Sequence, residues 1–191
     1  MNQYYFLVAS LPFLSRDSDR ASPPEEFLAS AREHLTPRDY TAVCSARIDA
    51  PVELEPGPPV VTKWQRFERG LRNELVKVRA ARLGADPAEH IRTDEAGSDD
   101  TDQTGLTDTA REAFGEESPL SGEDVLGRAR WEFLTELEVG HFFDVDRLVV
   151  YYLKLQLLAR KRLFNRDDGE RAFKAATDRI MNDYYQEQGD L

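Results

Sequence analysis

The chain has 191 residues, an apolar share of 40%, one cysteine and a formal net charge of −11. These values fit a folded domain and exclude an intrachain disulfide, a CxxC redox pair and a cysteine-based zinc cluster. So acidic a molecule is repelled at long range by nucleic acid and by anionic membrane surfaces, which argues against both as primary partners.

The amino terminus, MNQYYFLVASLPFLSRD, holds a short apolar run with no preceding Lys or Arg and soon meets Pro12, so it is expected to be mature sequence rather than a secretory signal. Ser22-Pro23-Pro24-Glu25-Glu26 predicts a helix start with Ser22 as cap, running to about Leu35. Thr36-Pro37-Arg38-Asp39 repeats that pattern, with Thr36 as cap and Tyr40, Val43 and Cys44 at helical spacing. From Ala50 to Pro59 five residues are proline or glycine, which predicts a loop.

Thr62 and Gln65 form a capping-box pair, and Trp64, Phe67, Leu71, Leu75 and Val78 then recur every three or four residues until Gly84. A long amphipathic helix follows. Its other face carries Lys63, Arg66, Arg69, Arg72, Lys77, Arg79 and Arg82 against Glu68 and Glu74. From Asp86 to Asp124 thirteen acids face Arg92 and Arg111, so this stretch carries the whole net charge and the remainder is balanced. Periodicity fails between 86 and 120, which predicts an acidic, partly disordered insertion with room for a short helix from Thr107 to Phe114.

Ser121, with Asp124 three residues on, predicts the next helix cap, and Val125, Leu126, Ala129, Phe133, Leu134 and Leu137 form its stripe before Gly140. Trp131 falls off that stripe. Asp144 can cap a helix in which Leu148 to Leu158 is apolar almost all round, the pattern of a central buried helix. Lys154 and Gln156 interrupt it, and it is far shorter than the ~20 residues of a membrane span, so a soluble, cytoplasmic protein is expected. Asp167 or Asp168 starts a last helix with Phe173, Thr177, Ile180 and Tyr184 on one stripe. The expected fold is a single all-α domain over 1–191, a compact bundle of about five to six helices carrying the insertion at 86–120.

No motif for chemistry survives inspection. His34, His90 and His141 belong to no HxxxH or HExxH pair. His141 with Asp144 and Asp146 can be drawn as a metal half-site, and a helix-entry loop with a capping Asp accounts for the same residues. Asn165 to Glu170 fails as a calcium loop because Phe164 and Arg166 occupy ligand positions. GxGxxG, GxxxxGK[ST] and GxSxG are absent, and Cys44 has the setting of a small core residue. No enzyme activity, cofactor or metal is expected. For the basic helix face, three readings stay open: a solvated face, a surface for a protein partner or for the acidic segment, and a phosphate-tracking stripe.

Two stretches, NQYYFLVASLPFLS and WEFLTELEVGHFFDVDRLVVYYLKLQLLARKRLFN, resemble a bacterial family of unknown function encoded among the subunits of V-type (A-type) ATPases and similar in outline to their C/d connector subunit. The resemblance covers the two ends of the chain; the acidic middle has no counterpart in it, and the chain is much shorter than a connector. It implies a helical, non-catalytic accessory subunit that meets ATPase subunits through helix faces, contributes to ion transport indirectly and reaches the inner membrane only through the complex. The residues it points to as partner contacts are Tyr4 and Tyr5, followed by Phe6, and Phe142 and Phe143; Arg66, Arg69, Arg72 and Arg79 join them from the basic helix. The alternative is a free-standing helical adaptor whose acidic arm masks that basic helix.

Overall fold

A stretch as uniformly apolar as Leu148 to Leu158 is removed from water only when other helices enclose it. In the computed structural model they do. The structure describes residues 4–18, 21–49, 57–93, 105–164, 169, 171 and 173–179. Among these, regular structure is helical throughout: α1 (Tyr5–Ser10), α2 (Pro24–His34), α3 (Pro37–Cys44), α4 (Pro59–Leu83), a 3-10 turn (Pro87–Glu89), α5 (Leu106–Gly115), α6 (Pro119–Leu137) and α7 (Val145–Leu163). The all-α expectation holds. Contacts divide the chain into two units, residues 1–159 and 160–191.

In the first unit α7 is the centre: Leu148, Val149, Val150, Leu153 and Leu155 are all but sealed from solvent. Against it α4 contributes Trp64, Phe67 and Leu71, and α6 contributes Leu134, within one continuous core. The aromatic rings are arranged in stacked pairs, with Phe67 on Phe133 at 4.1 Å and Trp64 on Phe67 at 5.8 Å between centroids. Phe27 of α2 packs against both Tyr151 and Tyr152 of α7. Gln156, one of the two polar interruptions of α7, satisfies the backbone beyond α3 by donating to the Ala46 carbonyl at 2.8 Å and accepting from the Ile48 amide at 3.3 Å.

Helix starts show where local chemistry was misjudged. Thr36 does cap α3, accepting from the Asp39 amide. Helix α4, however, begins at Pro59 with Pro58 in the cap position, a turn before Thr62, whose amide donates to the Pro58 carbonyl. The end of the proline-rich loop is thus the first turn of a helix, where proline lacks nothing. Helix α6 likewise starts at Pro119, capped by Ser118 through the Ser121 amide, rather than at Ser121. In α2 the cap position is Pro23 and Ser22 lies outside.

The largest revision concerns 86–120. Residues 94–104 lie outside the described ones, but both flanks are built into the fold. Asn73 of α4 exchanges two hydrogen bonds with the Arg92 backbone, at 2.7 and 2.9 Å, and the 3-10 turn lies between. The short helix expected from Thr107 to Phe114 is α5, and it is no appendage: Leu106 is 4% exposed, Ala110 is fully buried and Leu106 joins the core. Thr107 Oγ1 donates to Glu74 of α4 at 2.8 Å.

Gly122 shows how closely α5 and α6 approach. A Cβ at this position would sit 2.5 Å from the Ala113 carbonyl oxygen. Backbone cannot yield as a side-chain tip can, so Gly122→Ala is expected to cost about 1–3 kcal/mol in urea unfolding. Gly127 on the same helix faces open space, and Gly127→Ala should instead stabilise by about 0.5–1 kcal/mol. Equal effects at the two sites would show that α5 does not press on α6.

In the second unit residues 173–179 are helical, and Thr177 Oγ1 donates to the Phe173 carbonyl at 2.9 Å. Phe173 is 75% exposed. Asp167, Asp168, Ile180 and Tyr184 lie outside the described residues. Among the described residues no helix is long and apolar enough to cross a membrane.

Candidate docking surface

The aromatic segments at the two ends of the resemblance meet in space. The amide of Tyr4 donates to the Phe143 carbonyl at 2.6 Å, which pins the start of α1 to the loop between α6 and α7. The Tyr5 ring then lies 4.6 Å from the Phe143 ring, tilted by 40°. Next to this pair, Phe6 and Phe142 are 75% and 71% exposed, and Tyr5 is 58% exposed. Phe6 rests on the His34 imidazole at the end of α2. Exposed rings that touch one another or lie beside such a pair differ from singly scattered apolar residues, which need no explanation.

Tyr4 belongs to the scaffold of this surface rather than to its face. Its side chain is buried, and its hydroxyl donates to Asp39 of α3 and accepts from the Thr36 amide. Expecting Tyr4 as a partner contact is therefore corrected: it clamps α1 to α3 and to the α6–α7 loop and leaves Tyr5 and Phe6 outward.

The loop itself is shaped by chain chemistry. Helix α6 ends at Leu137, and Gly140 takes a φ of +86°, which glycine adopts without steric cost. Asp144 then caps α7 by accepting the Arg147 amide at 3.0 Å, as expected. Its other oxygen lies 2.7 Å from His141 Nδ1, and Asp146 Oδ2 lies 3.7 Å from the same nitrogen. These three residues form the one group of potential metal ligands found among the described residues. Burial pushes the Asp146 carboxyl pKa up, with the Asp144 charge adding to the rise and His141 and Lys63 opposing it. Neighbouring Glu138 pairs with both Arg147, at 2.7 Å, and Lys154, at 2.9 Å. Lys154 is buried with its ammonium above the Trp131 ring, and that burial lowers its pKa against the pull of Glu138.

The basic face of α4 is less uniform than its spacing suggests. Arg66, Arg72 and Arg79 are exposed, whereas Arg69, expected with them as a partner contact, is buried. The acids counted against that face are also inside: Glu68 is fully buried and Glu74 nearly so. Glu68 receives Arg130 of α6 at 2.5 Å and Arg72 at 3.5 Å, and Glu123 reaches the same Arg130 at 3.4 Å. The Arg82 guanidinium lies over the Phe114 ring of α5. Charge spacing along α4 does not show this network; the signal in the sequence is Arg130, which falls on the apolar stripe of α6, four residues from both Leu126 and Leu134. For the masking reading, the consequence is that an arm spanning 86–120 cannot detach as a whole without opening the core at Leu106 and Ala110.

No curated protein and no solved structure matches the chain. The family model DUF2764, described as a protein of unknown function, matches residues 55–184, which is more than half of the sequence, and the chain belongs to that family.

Proposed function

We propose that this protein is a non-catalytic, cytoplasmic interaction subunit that docks a protein partner through the aromatic surface of α1 and the α6–α7 loop. The observation that carries the reading is the meeting of Tyr5 with Phe143 beside exposed Phe6 and Phe142. Large rings held on a rigid scaffold suit an interface anchor, since aromatic residues dominate binding energy where they fill a partner's pocket. The segments that meet are the same two that resemble the family encoded with V-type ATPase subunits. The partner proposed is accordingly a protein subunit of a V-type ATPase, with the chain acting in assembly or connection and affecting ion transport indirectly.

A tagged copy expressed at native level should bring down V-type ATPase subunits. Tyr5→Ser combined with Phe142→Ser should reduce that recovery by about thirtyfold or more, taking roughly 2 kcal/mol as the effect of a single lost anchor. Both positions are exposed, so thermal stability should barely move. Recovery of no ATPase subunit would sink the choice of partner, and undiminished recovery by the double variant would sink the choice of surface.

A further inference from the structure

The entry to α7 gathers one imidazole and two carboxylates, and capping explains only part of the arrangement. Ligand atoms of His141, Asp144 and Asp146 all lie within 4.8 Å of one another. Asp144 and Asp146 are 6% and 8% exposed. Asp144 Oδ1 caps the helix, while its Oδ2 meets His141 Nδ1. Asp146 has no such duty. Among the described residues its carboxylate accepts no hydrogen bond, and its charged neighbour His141 Nδ1 is 3.7 Å away, beyond hydrogen-bond reach. The Asp146 side chain is 12% exposed, so its carboxylate is largely withdrawn from water, where a negative charge is costly unless a cation offsets it. Asp146 also lines a cavity of about 330 Å³ shared with His141, Lys63, Glu136 and Val60.

We propose that His141, Asp144 and Asp146 bind a first-row divalent transition metal, zinc being the best suited, with the remaining coordination positions open toward this cavity. An imidazole beside two carboxylates is a donor set for such ions, whereas magnesium and calcium prefer oxygen alone. Zinc holds nitrogen and oxygen ligands at roughly 2.0–2.2 Å, which places ligand atoms of a tetrahedral site about 3.3 Å apart. The 2.7 and 3.7 Å separations around His141 Nδ1 bracket that value, so small side-chain rotations seat the ion. Asp144 can serve both roles, Oδ1 remaining the cap while Oδ2 turns from acceptor to ligand. Charge agrees as well: Asp144, Asp146 and Glu136 surround the place against the single ammonium of Lys63, leaving two negative charges for a divalent ion to offset. Phe142 and Phe143 lie between the ligands in sequence, so an ion would fix the loop that carries them. The site does not depend on the docking reading.

The intact chain, freed of any histidine tag, should retain one zinc per molecule after dialysis against micromolar zinc, measured by elemental analysis. Cobalt should give visible absorption of an intensity that reports four or five ligands. Asp146→Asn should weaken zinc binding by about a hundredfold or more, beyond what loss of an outer-shell partner causes, with circular dichroism unchanged. His141→Gln, at a partly exposed position, should do the same and serves if the Asn variant fails to fold. Cys44→Ser should leave binding intact. Zinc should also be released as pH falls and the ligands take up protons. Absence of stoichiometric zinc in the parent chain, or zinc affinity in the two ligand variants equal to that of the parent, overturns the proposal.

Discussion

Glu68→Ala is expected to lower the unfolding free energy by about 3 kcal/mol, because it leaves the buried Arg130 guanidinium with only the longer contact to the partly exposed Glu123. Glu68 is fully buried and Arg130 is 7% exposed. Burial alone would discourage the charged guanidinium, yet Glu68 outweighs it and the Arg130 pKa lies above the ordinary arginine value. The pair thus exists because each half makes the other tolerable. It follows that removing both should be far milder: Glu68→Leu with Arg130→Met replaces two desolvated ions by apolar groups of similar size, an exchange that is often neutral. Urea unfolding of the two single variants and the double decides it. A double variant as unstable as the sum of the singles would show that the network contributes more than mutual neutralisation.

Trp64→Ala should destabilise by a similar amount, about 3–5 kcal/mol, for a different reason. The indole is fully buried, stacks against Phe67 and lies 6.5 Å from Phe133, so its removal leaves a cavity where α4, α6 and α7 meet. It also donates from Nε1 to the Arg47 carbonyl at 2.8 Å, tying the stretch after α3 to α4. Trp64→Phe separates the two contributions, keeping most of the apolar volume and losing the donor. That variant should cost about 1–2 kcal/mol beyond its own small loss of volume. A urea midpoint that shifts with unchanged slope is the expected signature, since the native fold persists. No loss in the alanine variant would remove Trp64 from the centre of the core.

The helices were legible from apolar spacing because burial needs one continuous face, and α4, α6 and α7 each display one. Helix starts were read less well for a single reason. Proline was treated as loop material, yet at Pro59 and Pro119 it occupies the first turn, where its missing amide has no partner to lose. Helix α5 was placed correctly but given the wrong environment, since five acids between positions 94 and 102 drew attention from Leu106 and Ala110, the positions that decide burial. Buried ions were invisible for a related reason: Glu68 and Arg69 are as polar in sequence as their exposed neighbour Arg66, and only the partner across the bundle distinguishes them. Of the docking surface, the residues were readable and their meeting was not. The Tyr4 to Phe143 hydrogen bond joins segments 139 positions apart, and nothing local announces it.

The position of α7 in the chain has a further consequence. The helix that supplies the largest run of sealed core residues, Leu148 to Leu155, is nearly the last part of the first unit to be made. While residues up to about 144 leave the ribosome, Phe27, Trp64, Phe67 and Leu134 have no central partner, and α1 has no loop to attach to. Closure therefore waits for long-range contacts, which slows folding relative to a bundle of sequential neighbours. Until then the nascent chain exposes the aromatic faces it will later hide, the kind of surface that makes an incomplete chain prone to aggregate.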